Sequence, residues 1–496
     1  MRLVILGGGG FRVPLVHRAL VGDGLVDELV LYDVDAARLA RVQEVLGRPP
    51  APASIVPRTT DNHGRTSGHA SSAGGGSTGA SSGSGGASSG SSTSDSSGGG
   101  GDSSGTSDSS GSSDSDSDSG GIVGGGWDNG HRGPEAGSGP RVWATTDLDE
   151  ALRGADFVFS AIRVGGLSGR AVDERVAHAH GVLGQETVGA GGIAYGLRTV
   201  PVAREIARRI AEIAPQAWVI NFTNPAGLVT EAMADHLGDR VIGICDSPYG
   251  LCRRVERALG VENARFDYAG LNHLGWLQGV YVDHENLLPR LLTDDDKLRS
   301  FEEGRLFGAE WLRALGVIPN EYLHYYYDTR DAMGGDRGAF LLRQQQRFYD
   351  GEVDWETTRL EREATYMKQE RDSLEGGGYE HVALKLMHAI ANDERTTLIL
   401  NVRNGNTLSI LDHKAVVEVP CTVGANGAKP DAVSPLPDHA AGLVQTIKAI
   451  DRLVLEGTYP AALKAFGLHP LVDSTKIAKS LLDTYLNRHP ELAYLK

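Results

Sequence analysis

A glycine run between an apolar segment and a helix-forming segment constrains the fold of this chain more than any other feature. Residues 3–6 are aliphatic, four glycines follow at 7–10, and residues 13–20 have the apolar spacing of a helix. A second apolar run at 29–32 precedes another helical pattern at 36–46. This alternation of strand and helix predicts a parallel sheet with crossover helices.

The glycine turn has the layout of a dinucleotide site. Glycines let the backbone approach a pyrophosphate, and the N-terminus of the next helix supplies N–H groups. Asp33 ends the second strand, where a carboxylate binds ribose hydroxyls and repels a 2′-phosphate, which favours NAD over NADP. The alternative is a tight turn that binds no ligand. We assign cofactor binding to Gly7, Gly8, Gly9, Gly10, Phe11, Arg12 and Asp33, with Arg12 at the usual place of the third glycine.

A low-complexity stretch interrupts the pattern of strands and helices. Residues 71–120 contain 23 Ser, 15 Gly and six Asp, with no aromatic residue, Lys or Arg. Such a segment cannot bury enough apolar area to offset the entropy lost on ordering. We expect a disordered insert over 64–140, tolerated because loop-closure entropy grows slowly with length. A tail that recruits partners is the alternative.

Charge and cysteine content exclude several classes of protein. The formal net charge is −16, so the chain has no basic footprint for nucleic acid or an anionic membrane surface. Three cysteines in 496 residues cannot form a disulfide framework, which favours a reducing compartment. No apolar run approaches the roughly 18 residues of a membrane span, and the N-terminal run is too short for a signal peptide. We therefore expect a cytoplasmic protein that binds neither nucleic acid nor membrane.

Polar residues follow two of the expected strands. The runs 218–221 and 241–245 are β-like, with Asn224 shortly after the first and Asp246 directly after the second. Ligands of open α/β sheets bind beyond the carboxyl ends of the strands, so these positions are the first candidates for a site.

Cys245, His273 and a tyrosine cluster are weak signals taken singly. Cys245 and His273 lie 28 residues apart and neither belongs to a Cys-x-x-Cys pair, so buried core positions are the commoner interpretation. Tyr322, Tyr325, Tyr326 and Tyr327 fall within six positions. Aromatic clusters usually pack in cores or interfaces, but a tyrosine beside a cation can act as a base.

Together these motifs resemble glycoside hydrolase family 4, the NAD- and metal-dependent glycosidases. They run in family order along almost the whole chain, broken only by the low-complexity stretch. The motifs are Gly7-Gly8-Gly9-Gly10 with Pro14; Ile162-Arg163-Val164-Gly165-Gly166 with Arg170 and Asp173-Glu174; Gly184-Gln185-Glu186-Thr187; Asn221-Phe222-Thr223-Asn224-Pro225; Cys245-Asp246-Ser247-Pro248; Gly270-Leu271-Asn272-His273-Leu274-Gly275-Trp276; Tyr322-Leu323-His324-Tyr325-Tyr326; and Val417-Glu418-Val419-Pro420.

The resemblance implies an α/β fold in two parts. A Rossmann-like, doubly wound NAD-binding domain would span 1–255 and carry the insert. A catalytic, substrate-binding and oligomerisation α+β domain would span 256–496, similar to the corresponding part of lactate and malate dehydrogenases. A dehydrogenase of that type is the rival enzyme class, and a nucleotide-sensing scaffold is the rival outside enzymes. Family members are commonly homodimers or homotetramers, so we expect one of these.

The same resemblance implies a redox route to hydrolysis. NAD⁺ takes a hydride from sugar C3, and the resulting ketone acidifies the proton on C2. A divalent metal on Cys245 and His273 stabilises the enediolate as a Lewis acid. Tyr322 takes the C2 proton, although Tyr325 and Tyr326 stay alternatives, and Asp246 protonates the leaving oxygen. Water then adds and NADH returns the hydride.

Substrate and metal also follow from the resemblance. Arg170, Asn224 and Arg337 correspond to substrate contacts, and a 6-phosphate on the sugar would suit the two arginines. The Cys-Asp-x-Pro form fits phospho-glucosidases, and we expect a 6-phospho-β-glucosidase, with the 6-phospho-α-glucosidase as the alternative. A thiolate with an imidazole suits Zn²⁺ or Fe²⁺ by softness, whereas the family usually works with Mn²⁺, which is the ion expected here.

Overall fold

The computed structural model describes residues 1–47, 139–367 and 378–496. Of the insert predicted over 64–140, only Gly139 and Pro140 belong to these ranges. The predicted disorder of the Gly/Ser stretch therefore lies outside the described residues.

The first half of the chain forms a parallel sheet. Its strands lie in the order β3-β2-β1-β4-β5-β6, which is the order of doubly wound dinucleotide-binding folds. Helices cover both faces, so central strand residues such as Val4 and Val158 are fully buried. The strands are β1 Arg2–Leu6, β2 Glu28–Tyr32, β3 Arg141–Thr145, β4 Phe157–Ser160, β5 Trp218–Asn221 and β6 Val241–Gly243. The predicted Rossmann-like sheet is confirmed.

Local sequence signals mark the ends of the helices in this half. Asp35 caps the second helix by accepting hydrogen bonds from the backbone N–H groups of Ala37 and Arg38. Gly260, with φ of 70°, ends the seventh in the left-handed conformation. The helices are α1 Val13–Leu20, α2 Ala36–Leu46, α3 Leu148–Leu152, α4 Gly166–Ala179, α5 Gly189–Ile213, α6 Ala226–Leu237 and α7 Ser247–Leu259.

The apolar spacing of the sequence predicts a helix near Val200 to Ile213, whereas helix α5 begins eleven residues earlier, at Gly189. The sequence pattern was misleading because residues 189–192 are mostly glycine and have no hydrophobic period. Here glycine serves close packing: a Cβ on Gly192 would lie 2.5 Å from the carbonyl oxygen of Thr187, and one on Gly191 would overlap that of Gln185. The glycines therefore let the helix start directly against the preceding loop.

The second half of the chain extends the same sheet with antiparallel strands. Strand β11 pairs with β6 at Asn401 and Gly243, and the order continues as β11-β12-β7-β8-β10. The strands are β7 Arg265–Leu271, β8 Leu274–Val282, β9 Glu285–Asn286, β10 Ile318–Pro319, β11 Thr396–Arg403, β12 Val416–Gly424 and β13 Gly427–Pro430. The expected α/β fold with an α+β second part is confirmed, and the division at residue 255 stays a prediction.

Helices of the second half pack around these strands and onto α5. The sequence has helical periodicity from about 440 to 455 and from 474 to 486. These two segments correspond to α16 and α18, which share an apolar core with α5. The helices are α8 Leu288–Leu292, α9 Asp295–Arg299, α10 Glu302–Phe307, α11 Ala309–Leu315, α12 His324–Tyr327, α13 Arg337–Tyr349, α14 Trp355–Met367, α15 Tyr379–Asn392, α16 Asp438–Glu456, α17 Tyr459–Leu468 and α18 Thr475–Arg488. Within residues 1–47, 139–367 and 378–496, none of the helices has the length and apolar character to span a membrane.

Candidate active site

The glycine turn is fitted to the strand beside it. The N–H groups of Gly7 and Gly8 donate to the carbonyl oxygen of Tyr32, at 2.9 and 2.7 Å. Gly7 has φ of +88°, and a Cβ on Gly8 would lie 2.8 Å from Leu31 Cα and from the backbone nitrogen of Tyr32. No other residue type fits these two positions without a shift of backbone.

Asp33 lies against the turn, as the dinucleotide interpretation requires. Its Oδ2 accepts a hydrogen bond from the N–H of Gly9 at 3.0 Å, and its Oδ1 accepts one from Asp35 at 3.1 Å. A Cβ on Gly9 would meet that same Oδ2 at 3.0 Å. The carboxylate is thus fixed beside a glycine turn, where no side chains cover the backbone. The carboxylate suits the ribose of a dinucleotide and the turn suits its pyrophosphate.

The side chains of Phe11 and Arg12, which follow the glycine turn, both pack against aromatic rings. The Phe11 ring is buried against Phe348, with ring centroids 5.4 Å apart, and Trp355 Nε1 donates to its carbonyl oxygen at 2.7 Å. The Arg12 guanidinium lies over the Tyr379 ring, 4.3 Å from its centroid. Only the backbone of Phe11 is therefore available to a cofactor, while its side chain anchors the turn in the core.

The loop after β5 is anchored by Asn221, which is fully buried. Its Nδ2 donates to the carbonyl oxygens of Thr223 and Ala226 and to Thr230 Oγ1, at 3.0 to 3.3 Å. These bonds hold Asn224 at the end of the strand. Among the described residues, the buried Oδ1 of Asn224 has no hydrogen-bond partner. An amide oxygen held in this way suits a ligand hydroxyl.

Cys245 and Asp246 lie where β6 passes into α7. The Cys245 thiol is buried; burial first, and then the nearby Glu418 and Asp246 carboxylates, raise its pKa well above the usual range. A thiol in these surroundings ionises only if a cation compensates its charge. Asp246 is half-buried at the N-terminus of α7.

His273 lies at the tip of the β7–β8 hairpin. The strands pair Leu271 with Leu274, so His273 is in a two-residue turn, and its φ is +62°. Its Nδ1 is 2.9 Å from Thr187 Oγ1, in the loop before α5. The tertiary structure thus joins the Gly184–Thr187 motif to the predicted metal ligand, although the two are 86 residues apart.

Tyr322 stacks directly on His273. The ring centroids are 3.5 Å apart and the planes are within 3° of parallel. Tyr325 is tilted against Tyr322 at 6.1 Å, whereas Tyr326 stacks on His469. Of the three tyrosines left open by the sequence, the structure therefore places Tyr322 face to face with the predicted metal ligand.

Glu418 is a buried carboxylate to which sequence reasoning assigned no role. It is fully buried in β12 and accepts hydrogen bonds from Asn272 Nδ2, Asn401 Nδ2 and the Tyr268 hydroxyl, at 3.0, 2.9 and 3.1 Å. Burial raises its pKa to about 7, against these three hydrogen bonds, which lower it. The sequence held one signal for this residue, which is a single carboxylate within the otherwise apolar run of β12. Charged residues are almost never fully buried without partners, so such a position indicates a hydrogen-bonded site.

Arg170 takes part in a buried ion network on α4. Its Nε donates to Glu174 Oε1 at 2.7 Å and its Nη1 donates to Glu186 Oε2 at 2.5 Å. Burial alone would raise the pKa of Glu186, but Arg163 and Arg170 lower it to about 2. Arg170 is therefore held in salt bridges with Glu174 and Glu186. A ligand phosphate would meet a guanidinium already oriented by two carboxylates.

Arg337 lies close to the same network. It is the first residue of α13, and the N–H of the next residue, Gly338, donates to Glu174 Oε2 at 2.6 Å. Glu174 thus links Arg170 to the start of α13, and the two predicted phosphate contacts share this part of the structure.

The donor set fits a metal site that is completed by substrate. In the described parts of the chain, no group of three or more His, Cys, Asp or Glu side chains is arranged around a metal position. The prediction needs only Cys245 and His273, because catalytic metals leave positions open for substrate and water. Cys245 follows β6 and His273 lies in the turn between β7 and β8, with β11 and β12 between β6 and β7 in the sheet. The ligand roles of Cys245 and His273 stay a prediction.

Known proteins were compared with the chain as a whole. A model of the family 4 glycosyl hydrolase matches residues 133–261, and a model of its C-terminal domain matches residues 268–472. The chain is also 37% identical over 368 residues to a probable 6-phospho-beta-glucosidase of Bacillus subtilis, covering 71% of this chain and 83% of the relative. The chain belongs to glycosyl hydrolase family 4.

Two further relatives of this family 4 chain bear on its specificity and fold. The phospho-alpha-glucosidase PagL of Clostridium acetobutylicum is 32% identical over 69% of this chain and 82% of its own length. The 6-phospho-beta glucosidase of Thermotoga maritima, whose structure was solved with manganese, NAD⁺ and glucose-6-phosphate, matches with a TM-score of 0.71 at 21% identity over 100% of both chains. The chain is thus a glycoside hydrolase with phospho-glucosidase relatives of both anomeric preferences.

Proposed function

We propose that this chain hydrolyses 6-phospho-β-glucosides with NAD and Mn²⁺. The observation that carries the proposal is the stacking of Tyr322 on His273. Its relatives support the substrate class, and the B. subtilis relative supports the β-anomer. The cofactors named for the T. maritima structure suit the bare glycine turn with Asp33 and the donor pair Cys245 and His273.

Bound NAD would supply reversible hydride transfer, and Mn²⁺ held by Cys245 and His273 would supply Lewis-acid stabilisation of negative charge on the sugar oxygens. The chain's own residues then move protons. Tyr322 accepts the proton from sugar C2, and Asp246 donates a proton to the departing glycosidic oxygen. The amide oxygen of Asn224 orients a sugar hydroxyl.

Arg170 and Arg337 would hold the 6-phosphate. Glu174 and Glu186, the latter with a pKa lowered to about 2, hold Arg170 in place before the substrate arrives. The guanidinium therefore loses little conformational entropy on binding. A neutral glucoside would lack this charge-assisted contact. We propose a homodimer or homotetramer in the cytoplasm as the working form.

Nitrophenyl 6-phospho-β- and 6-phospho-α-glucosides, and the unphosphorylated β-glucoside, test this function. With NAD⁺ and Mn²⁺ present, we expect cleavage of the 6-phospho-β-glucoside and at least tenfold lower kcat/KM without the phosphate. Preference for the α-anomer would assign the chain to the specificity of PagL instead. Full activity after removal of all nicotinamide would refute the redox route.

Tyr322→Phe tests the base, and Tyr325→Phe is the matched control. Loss of a positioned general base costs about 10² to 10⁴ in kcat. We expect a loss of that size for Tyr322→Phe. For Tyr325→Phe, whose ring is tilted against Tyr322 at 6.1 Å, we expect a kcat within a few-fold of the parent. The reverse result would transfer the role to Tyr325.

A further inference from the structure

The loop before α5 ends in a small hydrogen-bond chain whose direction can be read from its donors. Gln185 Oε1 accepts from the backbone N–H groups of Thr187 and Val188, at 2.6 and 2.8 Å. Both of these groups are donors only, so the side-chain atom that faces them is the amide oxygen, which is an acceptor only. The orientation of the Gln185 amide is therefore set by the backbone around it.

The Thr187 hydroxyl is the next member of the chain. Its oxygen lies 3.2 Å from Gln185 Oε1 and 2.9 Å from His273 Nδ1. If its single proton pointed to His273, two acceptor oxygens would face each other at 3.2 Å. The proton therefore goes to Gln185, and the hydroxyl oxygen accepts from Nδ1–H of His273.

We infer that Gln185 and Thr187 fix the tautomer of His273, so that the neutral imidazole carries its proton on Nδ1 and its lone pair on Nε2. Gln185 and Thr187 are positioning residues, since they act through His273. This inference rests on the proposed function only in its consequence, which is that Nε2 is the nitrogen that binds Mn²⁺. An outer hydrogen bond to a ligating histidine commonly fixes the ring in this way.

The surrounding structure keeps this chain of donors in place. Gly192 packs against the carbonyl of Thr187, so α5 supports the loop from behind. Tyr322 covers one face of the imidazole and prevents the ring from tilting. The ring therefore has one orientation in which Nδ1 meets Thr187, and Nε2 lies on the opposite edge.

The tautomer is read directly from the metal-free protein. In histidine-labelled protein at about pH 8, above the ordinary histidine pKa, long-range ¹H–¹⁵N spectra distinguish a protonated from an unprotonated ring nitrogen, and His273→Gln identifies the signal. We expect a protonated Nδ1 and an unprotonated Nε2. A protonated Nε2 would overturn the inference, and this measurement requires no variant of Thr187 to fold.

Mn²⁺ titration, followed by the electron paramagnetic resonance of free Mn²⁺, tests the consequence. Thr187→Val should raise the Kd for Mn²⁺ about 10- to 100-fold, which is the usual effect of losing an outer-sphere partner. Thr187→Ser keeps the hydroxyl, so its Kd should stay within a few-fold of the parent value. Thr199→Val is the matched control. It also replaces a buried threonine by valine, but Thr199 lies in α5 and its hydroxyl has no hydrogen-bond partner among the described residues.

The outcomes separate the two proposals. An unchanged Kd and unchanged His273 signals in Thr187→Val would overturn the positioning role. A protonated Nδ1 in a protein that binds no Mn²⁺ would support the tautomer and overturn the metal site of the proposed function.

Discussion

Removal of one member of the buried ion pair between α4 and α5 should destabilise the chain strongly. Arg198, on α5, donates to both carboxylate oxygens of Asp173, on α4, at 2.8 and 2.7 Å. Arg198 is 2% exposed and Asp173 is 1% exposed. His489 Nε2 also lies 2.8 Å from Asp173 Oδ1. Asp173 is three residues after Arg170, so the ion pair also holds the helix of a predicted phosphate contact.

The size of the effect follows from this burial. Arg198→Met keeps most of the apolar stem but leaves the Asp173 carboxylate with His489 in a site without solvent. Breaking a buried pair from one side costs about 3–5 kcal/mol, because an uncompensated charge stays buried. The double variant Arg198→Met with Asp173→Leu should recover most of that loss, since replacing both charges by apolar groups is often neutral or stabilising.

Urea unfolding followed by circular dichroism measures the free energy of unfolding of each variant. Arg208→Met is the matched control. Arg208 lies on the same helix but is solvent-exposed and pairs with Glu205 and Glu212 on the helix surface, so we expect no comparable loss. A loss below about 1 kcal/mol for Arg198→Met, or a double variant no better than the single one, would refute the reasoning from burial.

Two further predictions concern the glycine turn and a buried histidine. Gly8→Ala places a Cβ against the backbone of Tyr32, so we expect lower stability and at least tenfold weaker NAD binding by calorimetry. Gly442→Ala, on α16 where a Cβ would meet nothing within 4 Å, should leave NAD binding unchanged. Burial lowers the pKa of His469 to about 3, and its Nδ1 accepts from the N–H of Leu471 at 3.1 Å. The unfolded chain therefore binds this proton first, so stability falls as pH drops from about 6.5 towards 3. His469→Gln should reduce the loss of unfolding free energy between about pH 7 and pH 5, and an equal slope in both proteins would contradict the assignment.

Several features of the fold were predictable because their causes are local. Residues close in the chain give rise to the period of two in strands, the period of 3.6 in helices and the turn that only glycine can form. The elements β1, α1, β2 and α2 lie where these patterns predicted them. The capping residue Asp35 belongs to the same class of signal. The start of α5 was missed because its glycines respond to a neighbouring loop and carry no periodicity of their own.

The site residues were identified only as separate motifs. Thr187 and His273 are 86 residues apart, and Asn272 and Glu418 are 146 residues apart. Their contacts depend on sheet register, which pairs Glu418 with Gly270 and so brings β12 beside the hairpin of His273. The distinction of Tyr322 from Tyr325 and Tyr326 also depends on the tertiary structure, because only the fold brings the Tyr322 ring against His273 in the β7–β8 turn.

The amino-acid sequence by itself determined the parallel sheet, the NAD-type turn and the order of the family motifs, since each arises from interactions between residues close in the chain. Only the tertiary structure decided which side chains His273 meets, which carboxylates hold Arg170 and where Glu418 is buried. Hydrogen bonds and ion pairs act over a few ångströms, and sequence distance carries no information about which groups the folded sheet brings within that range.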